Sequence, residues 1–449
     1  MSPRAVTGEP GDASAKSLRS IGRALWNRNY RLFFAGQSIS LIGTWLTRVA
    51  TSWLVYRLTG SALLLGIVGF AGQIPTFFLA PVAGVWVDRW NRHRVLVVTQ
   101  VLAMIQSALL AALAWSSRMT VVHIAALSIV QGLINAFDMP ARQAFVVEMV
   151  ADRNDLPNAI ALNSSMVNAA RLIGPSVAGI LIGLFGEGWC FAIDAVSYLA
   201  VIASLLAMRI TARPLVPRTT RVGAELAEGF RYVVGHVPIR SVLLLLAVVS
   251  LMGMPYTVLM PVVATQVLHG RAHTLGFLMA ASGAGALTGA LYLASRTSVV
   301  GLGRVIAIAA AVFGASLIAF SLSRVLWLSL VLMVPTGMGM MVQMAASNTV
   351  LQTLVDEDKR GRVMSFYAMA FFGTVPFGSL LAGSLADKVG ASNTIGLGGI
   401  ACVIGAALFF RALPELRRLA RPTYVRLGIV PEIAEELRSA SRLPVTPEE

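Results

Sequence analysis

The sequence predicts an all-α integral membrane fold, with twelve transmembrane helices arranged in two six-helix repeats. Of its 449 residues, 56% are hydrophobic and 13% are charged, whereas a soluble domain carries roughly 25% charged residues. The apolar residues fall in many separate runs of about 20, the length that crosses a hydrocarbon layer of about 30 Å. In addition, a glycine spacing in the first half of the chain recurs in the second half.

Charged loops and Gly, Pro and Asn residues separate the apolar runs, and each run predicts one span. The spans of the first half lie near 32–57, 62–87, 95–116, 120–139, 159–185 and 189–208. Those of the second half lie near 241–268, 274–295, 303–322, 326–350, 363–386 and 393–411. The first run is too long for a cleaved signal peptide, so we expect it to be retained as a span.

These spans divide the chain into five parts. They are an N-terminal segment (1–31), an N-terminal six-helix bundle (32–208), a linker (209–240), a C-terminal six-helix bundle (241–411) and a tail (412–449). An internal repeat supports the division into halves, because three glycines of the fifth span recur 204 residues later with identical spacing. The two sets are Gly174, Gly179 and Gly186, and Gly378, Gly383 and Gly390.

The basic residues predict how the chain is oriented. Lys and Arg concentrate on one side of the predicted bundle, and the other side holds only Arg57, Arg118, Arg271, Arg324 and Lys388. The basic side is expected to be cytoplasmic, which gives a multi-pass protein of the plasma (inner) membrane with both termini in the cytoplasm. The net charge of +15 therefore orients the chain in the lipid bilayer and does not indicate a nucleic-acid partner.

Two short helices are predicted outside the spans. In the linker, "VGAELAEGFRYVV" places Val222, Leu226, Phe230 and Val233 on one face, which predicts a helix lying on the cytoplasmic membrane surface. In the tail, "PEIAEELRSA" predicts a second helix. Both are expected to be structural.

Four charged residues within or at the ends of spans are candidates for substrate binding or coupling, because charges inside a membrane are costly unless they have a function or a partner. Arg48 lies on a polar stripe of the first span, and Arg171, Asp194 and Asp138 lie in the fifth, sixth and fourth spans. Each also has a structural interpretation. Arg48 could extend its side chain to the surface, Asp194 could pair with Arg48, and Asp138 could join Arg142 and the basic loop after the second span. Uncharged polar candidates within the spans are Asn135, Gln343, Gln131, Tyr256 and Asn348.

Several classes of function are disfavoured by the sequence. It contains no phosphate-binding G-x4-G-K-[ST] loop, so transport driven by ATP within this chain is not expected. The histidines are scattered, and Cys190 and Cys402 lie in separate apolar runs, so neither a metal site nor a disulfide framework is predicted. We expect no enzymatic activity and no cofactor.

The loop after the second span has the form G-x-x-x-D-R-x-x-R-x-R, carried by Gly84, Asp88, Arg89, Arg92 and Arg94. It resembles the first signature loop of the major facilitator superfamily. That family usually has Gly where this chain has Asn91, which we expect to adopt the same left-handed turn. The stretches "WLVYRLTGS", "PARQAFVVEMVADRNDLPNAIALNSS", "ARLIGPSVAGILIG", "WCFAIDAVSYLAV" and "RPTYVRLGIVPE" are similar to those of the transmembrane secretion effectors, which include enterobactin and macrolide exporters.

The resemblance implies the major facilitator fold and a monomer that exports a small organic molecule (a drug, siderophore or secondary metabolite) by alternating access, through proton-coupled antiport. It implies that Asp88 forms a latch with the helix N-terminus of span eleven near residues 361–365. Gly174, Pro175 and Gly179 resemble the antiporter motif of the family, in which small residues allow close helix packing. A non-transporting sensor or scaffold, or an importer of a small metabolite, remains an alternative.

Overall fold

The computed structural model describes residues 23–150, 155–209, 222–296, 298–357 and 359–427, and within these ranges its regular structure is helical. After a 3-10 turn at Arg23–Trp26, the N-terminal helices are α1 (Arg28–Thr59), α2 (Ala62–Arg89), α3 (Arg92–Trp115), α4 (Val121–Met149), α5 (Leu156–Phe185) and α6 (Glu187–Leu206). The linker contains α7 (Val222–Gly235). The C-terminal helices are α8 (Val237–Val248), α9 (Tyr256–Val262), α10 (Ala272–Ala294), α11 (Leu302–Leu322), α12 (Leu326–Leu354), α13 (Arg360–Ala368), α14 (Val375–Val389) and α15 (Ala391–Arg426).

The predicted fold of twelve spans in two halves is confirmed. Among the described residues, 11 helical stretches are long and apolar enough to cross a membrane. The seventh span combines α8 and α9, and the eleventh combines α13 and α14. The remaining span is α1, whose 32 residues extend over about 48 Å. Its arginines and polar stripe lower its hydropathy below that of the other spans.

Several spans are longer than the sequence predicts, including α4, which continues to Met149 instead of ending near 139. α1 begins at Arg28, and α15 continues to Arg426 instead of ending near 411. The end of α15 is rich in arginine, so hydropathy locates the end of the apolar segment but not the end of the helix. The predicted tail helix lies outside the described residues, as does the chain before Arg23.

Small residues let the helices within each half approach closely. A Cβ added to Gly285 of α10 would lie 1.8 Å from the carbonyl oxygen of Val334, and one added to Gly337 of α12 would lie 1.8 Å from that of Ser282. These glycines therefore allow α10 and α12 to pack backbone against backbone. In lipid, such close packing holds helices together where the hydrophobic effect does not.

The two halves meet at one end of the bundle. α2 crosses α14 where Gly66 meets Gly383, and a Cβ added to Gly66 would lie 3.0 Å from the Cα of Gly383. α5 crosses α10 where Gly179 meets Gly276, and the corresponding distance is 3.1 Å. Both crossings lie opposite the linker, at the end that we call the closed end.

The end that carries α7, which we call the linker end, is open between α2 and the eleventh span. In the middle of the bundle, a Cβ added to Gly373 would lie 2.6 Å from the ring of Phe77. Further towards the linker end, a Cβ added to Gly84 of α2 or Gly361 of α13 would meet no described atom within 4 Å. Contact between these spans therefore ends before the linker end.

The linker helix packs against the start of the eleventh span. Gly229 of α7 lies against Phe366 and Arg362, to which an added Cβ would come within 3.0 and 3.1 Å. Glu228 forms an ion pair with Arg362 at 2.6 Å. Of the predicted apolar face, Val233 is buried and Phe230 is exposed, and the side chains of Val222 and Leu226 lie outside the described part.

The seventh and eleventh spans contain π-helical turns that the sequence analysis did not predict. They occur at Val249–Gly253 and Met369–Gly373, and the seventh span has a further π-turn at Val263–Val267. The hydroxyl of Ser250 in the first turn donates a hydrogen bond to the carbonyl oxygen of Phe371 in the second. A π-turn displaces backbone groups from the regular helical ladder, so the two irregular segments pack together and satisfy each other.

Candidate functional site

The polar face of α1 is positioned by contacts on either side of it. Towards α6, Gly43 packs so closely that an added Cβ would lie 2.5 Å from the Ser197 Oγ. Towards α5, Trp45 packs on Gly174, where an added Cβ would lie 2.4 Å from the Trp45 Cβ. Arg48 projects between these two contacts, and its side chain is exposed although it lies in the middle of a span.

The side chains of Arg48 and Arg171 both lie near the indole ring of Trp45. The guanidinium carbon of Arg48 lies 4.7 Å from the Trp45 ring centroid, and that of Arg171 lies 5.7 Å from it. The Nε and Nη1 atoms of Arg171 are buried and have no hydrogen-bond partner among the described residues. Within the same residues, neither arginine forms an ion pair with a carboxylate.

Asp194 is buried at the packing surface of α6 against α1 and α3. It is 1% exposed, and its Oδ2 accepts hydrogen bonds from Thr47 Oγ1 at 2.7 Å and Ser107 Oγ at 2.8 Å. Its Oδ1 has no partner among the described residues. The alternative pairing of Asp194 with Arg48 is wrong, because successive residues of a helix project about 100° apart and Thr47, not Arg48, faces α6.

Asp138 belongs to a different environment at the linker end. It forms an ion pair with Arg142 and accepts hydrogen bonds from Thr99 at 3.0 Å and Gln100 at 2.7 Å. Arg92 of the signature loop instead pairs with Glu148, at 2.6 Å. Asp138 therefore has a fixed cationic partner, which Asp194 does not have among the described residues.

The signature loop is a tight connection between α2 and α3. Asn91 has φ −69° and ψ 107°, so the expected left-handed turn is wrong. Its Oδ1 accepts a hydrogen bond from the backbone N–H of Arg94 at 3.1 Å, which caps α3. Arg89 and Arg94 are exposed. The side chain of Asp88 lies outside the described part of the structure.

The uncharged candidates are distributed over several helices. Gln131 donates to Asn135 Oδ1 at 3.1 Å on α4, and Gln343 donates to Ser347 at 3.4 Å on α12. Tyr256 of α9 shares a 2.8 Å hydrogen bond with Ser282 of α10. No hydrogen bond among the described residues joins Asn135 or Gln343 to Arg48 or Arg171. The structure therefore brings only part of the predicted set together.

Trp45, Thr47 and Ser107 are site residues that sequence reasoning missed. Hydropathy singles out charges in apolar runs, and these three residue types are ordinary in a span. The spacing of Trp45 and Arg48 carried a usable signal, because residues three apart on a helix are neighbours and arginine stacks readily on tryptophan. The hydroxyl groups of Thr47 and Ser107 gave no such signal in the sequence, because their contact with Asp194 depends on how the helices pack.

A two-half helical bundle that is closed at one end and has unpaired charges in its interior is typical of secondary transporters. The chain belongs to the transmembrane secretion effector family of the major facilitator superfamily, since the model of this family matches residues 23–441. It is a membrane transporter and not an enzyme.

Three characterised relatives resemble the chain over most of their length. The staphyloferrin A transporter of Staphylococcus aureus is 24% identical, over 85% of this chain and 95% of the relative. The multidrug efflux pump Tap of Mycolicibacterium fortuitum is 28% identical, over 84% and 93%. Macrolide efflux protein A of Streptococcus pyogenes is 22% identical, over 88% and 98%.

Solved structures share the fold at low sequence identity. A POT family transporter in complex with a thioalcohol-conjugated peptide has a TM-score of 0.69 at 11% identity, over 89% of this chain and 99% of that one. A mutant of the nucleoside transporter NupG has a TM-score of 0.66 at 14% identity, over 86% and 98%. At such identities, the likeness concerns the fold alone.

Proposed function

We propose that the protein exports a small organic molecule from the cytoplasm by alternating access, in exchange for protons. The linker end carries the basic loops and the linker, so the positive-inside rule assigns it to the cytoplasm. With this orientation, we interpret the structure as an inward-open state in which Arg48 is exposed. The efflux activities named for two of the relatives support export over import.

The observation that carries the proposal is the environment of Asp194. This carboxylate is buried between three helices of one half, bound by two hydroxyl groups and by no cation among the described residues. Proton exchange requires a carboxylate that can gain and lose a proton inside the protein. Asp138 suits this role less well because Arg142 stabilises its charge. Asp194 is therefore the proposed proton carrier.

The experiment is an uptake assay in inside-out membrane vesicles with an imposed proton gradient, acidic inside. The panel contains a macrolide, a ferric siderophore, and anionic and cationic dyes. Wild-type vesicles are expected to accumulate at least one compound, and nigericin, which dissipates the gradient, is expected to abolish the accumulation. Asp194→Asn removes the proton site and should abolish accumulation driven by the gradient.

Asp387→Asn is the matched control, since Asp387 is an exposed carboxylate at the closed end of α14. It should accumulate the same compound at the wild-type rate. If gradient-driven accumulation is as fast in Asp194→Asn as in wild type, Asp194 is not the proton carrier. Accumulation only in right-side-out vesicles would show that the protein imports its substrate and does not export it.

A further inference from the structure

The cluster formed by Arg48, Trp45 and Arg171 contains two positive charges and no acid among the described residues. Since each guanidinium carbon lies within 6 Å of the same indole centroid, at 4.7 and 5.7 Å, the two cations are close enough to contact one small ligand. The buried acid on the neighbouring helix α6, Asp194, is bound instead by Thr47 and Ser107. The cluster therefore lacks negative charge.

The missing negative charge matters because part of the Arg171 side chain is buried. Its Nε and Nη1 atoms are buried without an acceptor among the described residues, and an arginine inside a membrane protein is normally paired or in contact with water. A carboxylate supplies two oxygen acceptors in the geometry that a guanidinium prefers. Arg48, by contrast, is exposed, so a ligand can contact its guanidinium group without displacing packed side chains.

Both halves of the protein border this cluster. Arg171 lies on α5 of the N-terminal half, and its carbonyl oxygen would be 2.8 Å from a Cβ added to Gly283 of α10 in the C-terminal half. The adjacent residue, Ser282, shares its hydrogen bond with Tyr256. A ligand bound to Arg171 would thus lie at the contact between the halves, where its presence can bias their relative movement.

We infer that the transported molecule is an organic anion with at least one carboxylate, bound between Arg48 and Arg171 with an apolar part against Trp45. This inference rests on the proposed export function and specifies its substrate class. A cationic compound would meet two like charges in the interior, where electrostatic repulsion is weakly screened. The indole contributes apolar contact area and holds both guanidinium groups by cation–π interaction.

The test measures binding to the purified full-length protein in lipid nanodiscs. The probes are three carboxylates, namely carboxyfluorescein, phthalate and 1-naphthoate, and rhodamine 123, a cation with the same ring system as carboxyfluorescein. Wild-type protein is expected to bind at least one carboxylate and to bind rhodamine 123 more weakly. Arg48→Gln and Arg171→Gln should each raise the Kd for that carboxylate about tenfold or more, equivalent to ~1.4 kcal/mol.

Two further variants separate binding from folding. Arg48→Lys keeps the positive charge and should retain more affinity than Arg48→Gln. Arg118→Gln removes an exposed arginine outside the spans and should leave the Kd unchanged. Circular dichroism and size-exclusion chromatography check that each variant is folded. Failure of all three carboxylates to bind wild type, equal binding of rhodamine 123, or an unchanged Kd in both glutamine variants would overturn the inference.

The vesicle assay distinguishes failure of this inference from failure of the proposed function. If gradient-driven export of a cationic dye persists in Arg48→Gln, the inferred anion site is wrong and the proposed export function stands. If carboxylate binding depends on both arginines but no panel compound accumulates in inside-out vesicles, the inferred site stands and the proposed export function is wrong.

Discussion

At the scale of single residues, glycines determine where the embedded charges lie. Gly43 allows α1 to approach α6 so closely that an added Cβ would lie 2.7 Å from Asp194 Oδ1. Gly174 likewise allows α5 to approach Trp45 of α1, whose indole ring lies near both Arg48 and Arg171. The positions of the charged groups therefore depend on close helix contacts that glycine allows because it has no side chain.

Gly174→Ala should destabilise the protein by about 1–3 kcal/mol, the usual range for overpacking a tight contact. The added methyl group would lie 2.4 Å from the Trp45 Cβ, an atom that cannot move without moving α1. The measurement is unfolding of the purified variant in mixed micelles. Gly183→Ala, in the same helix, is the matched control because an added Cβ there meets nothing within 4 Å. Equal stability of the two variants would contradict the packing described here.

The sequence predicted the embedded charges better than their partners. Arg48, Arg171 and Asp194 are conspicuous because each interrupts an apolar run. Their contacts depend on which way each helix faces, and the rotation of neighbouring helices is set by close packing at residues such as Gly43. For this reason the position of Asp194 within a span was predictable, whereas its hydrogen bonds to Thr47 and Ser107 were not.

At the scale of elements, the eleventh span is an irregular helix whose N-terminus lies at the same end of the bundle as the signature loop. α13 begins at Arg360, packs against the linker helix and passes into a π-turn at Met369. Its N-terminal Gly361 faces open space in the present state. A helix N-terminus attracts negative charge, so we propose that α13 becomes the partner of Asp88 when the halves approach at the linker end.

Asp88→Asn should insert normally and transport more slowly. Loss of a charge–dipole contact is worth roughly 0.3–2 kcal/mol, which changes the ratio of the two states by about two- to thirty-fold. The measurement is the initial export rate at equal expression, with Asp387→Asn, in the part of the eleventh span far from the linker end, as control. An unchanged rate in Asp88→Asn would rule out the latch.

At the scale of the whole molecule, the number of spans and the two-fold division followed from hydropathy and the glycine repeat. The state of the transporter did not follow, because one sequence stabilises both arrangements of the halves with a small energy difference. The crossings at Gly66 with Gly383 and at Gly179 with Gly276 define the closed end. Alternating access requires these contacts to separate as the linker end closes.

Distance measurements at both ends of one helix pair test this movement most directly. Spin labels are attached at Gln143 and Gln352, exposed at the linker end of α4 and α12, and in a second variant at Val122 and Trp327, exposed at the closed end of the same helices. Cys190 and Cys402 are replaced by Ala in both variants. Electron paramagnetic resonance should give two distance populations at each end. Conditions that shorten the Gln143–Gln352 distance should lengthen the Val122–Trp327 distance. A single unchanged distance at both ends, in protein that still transports, would contradict the two-state account.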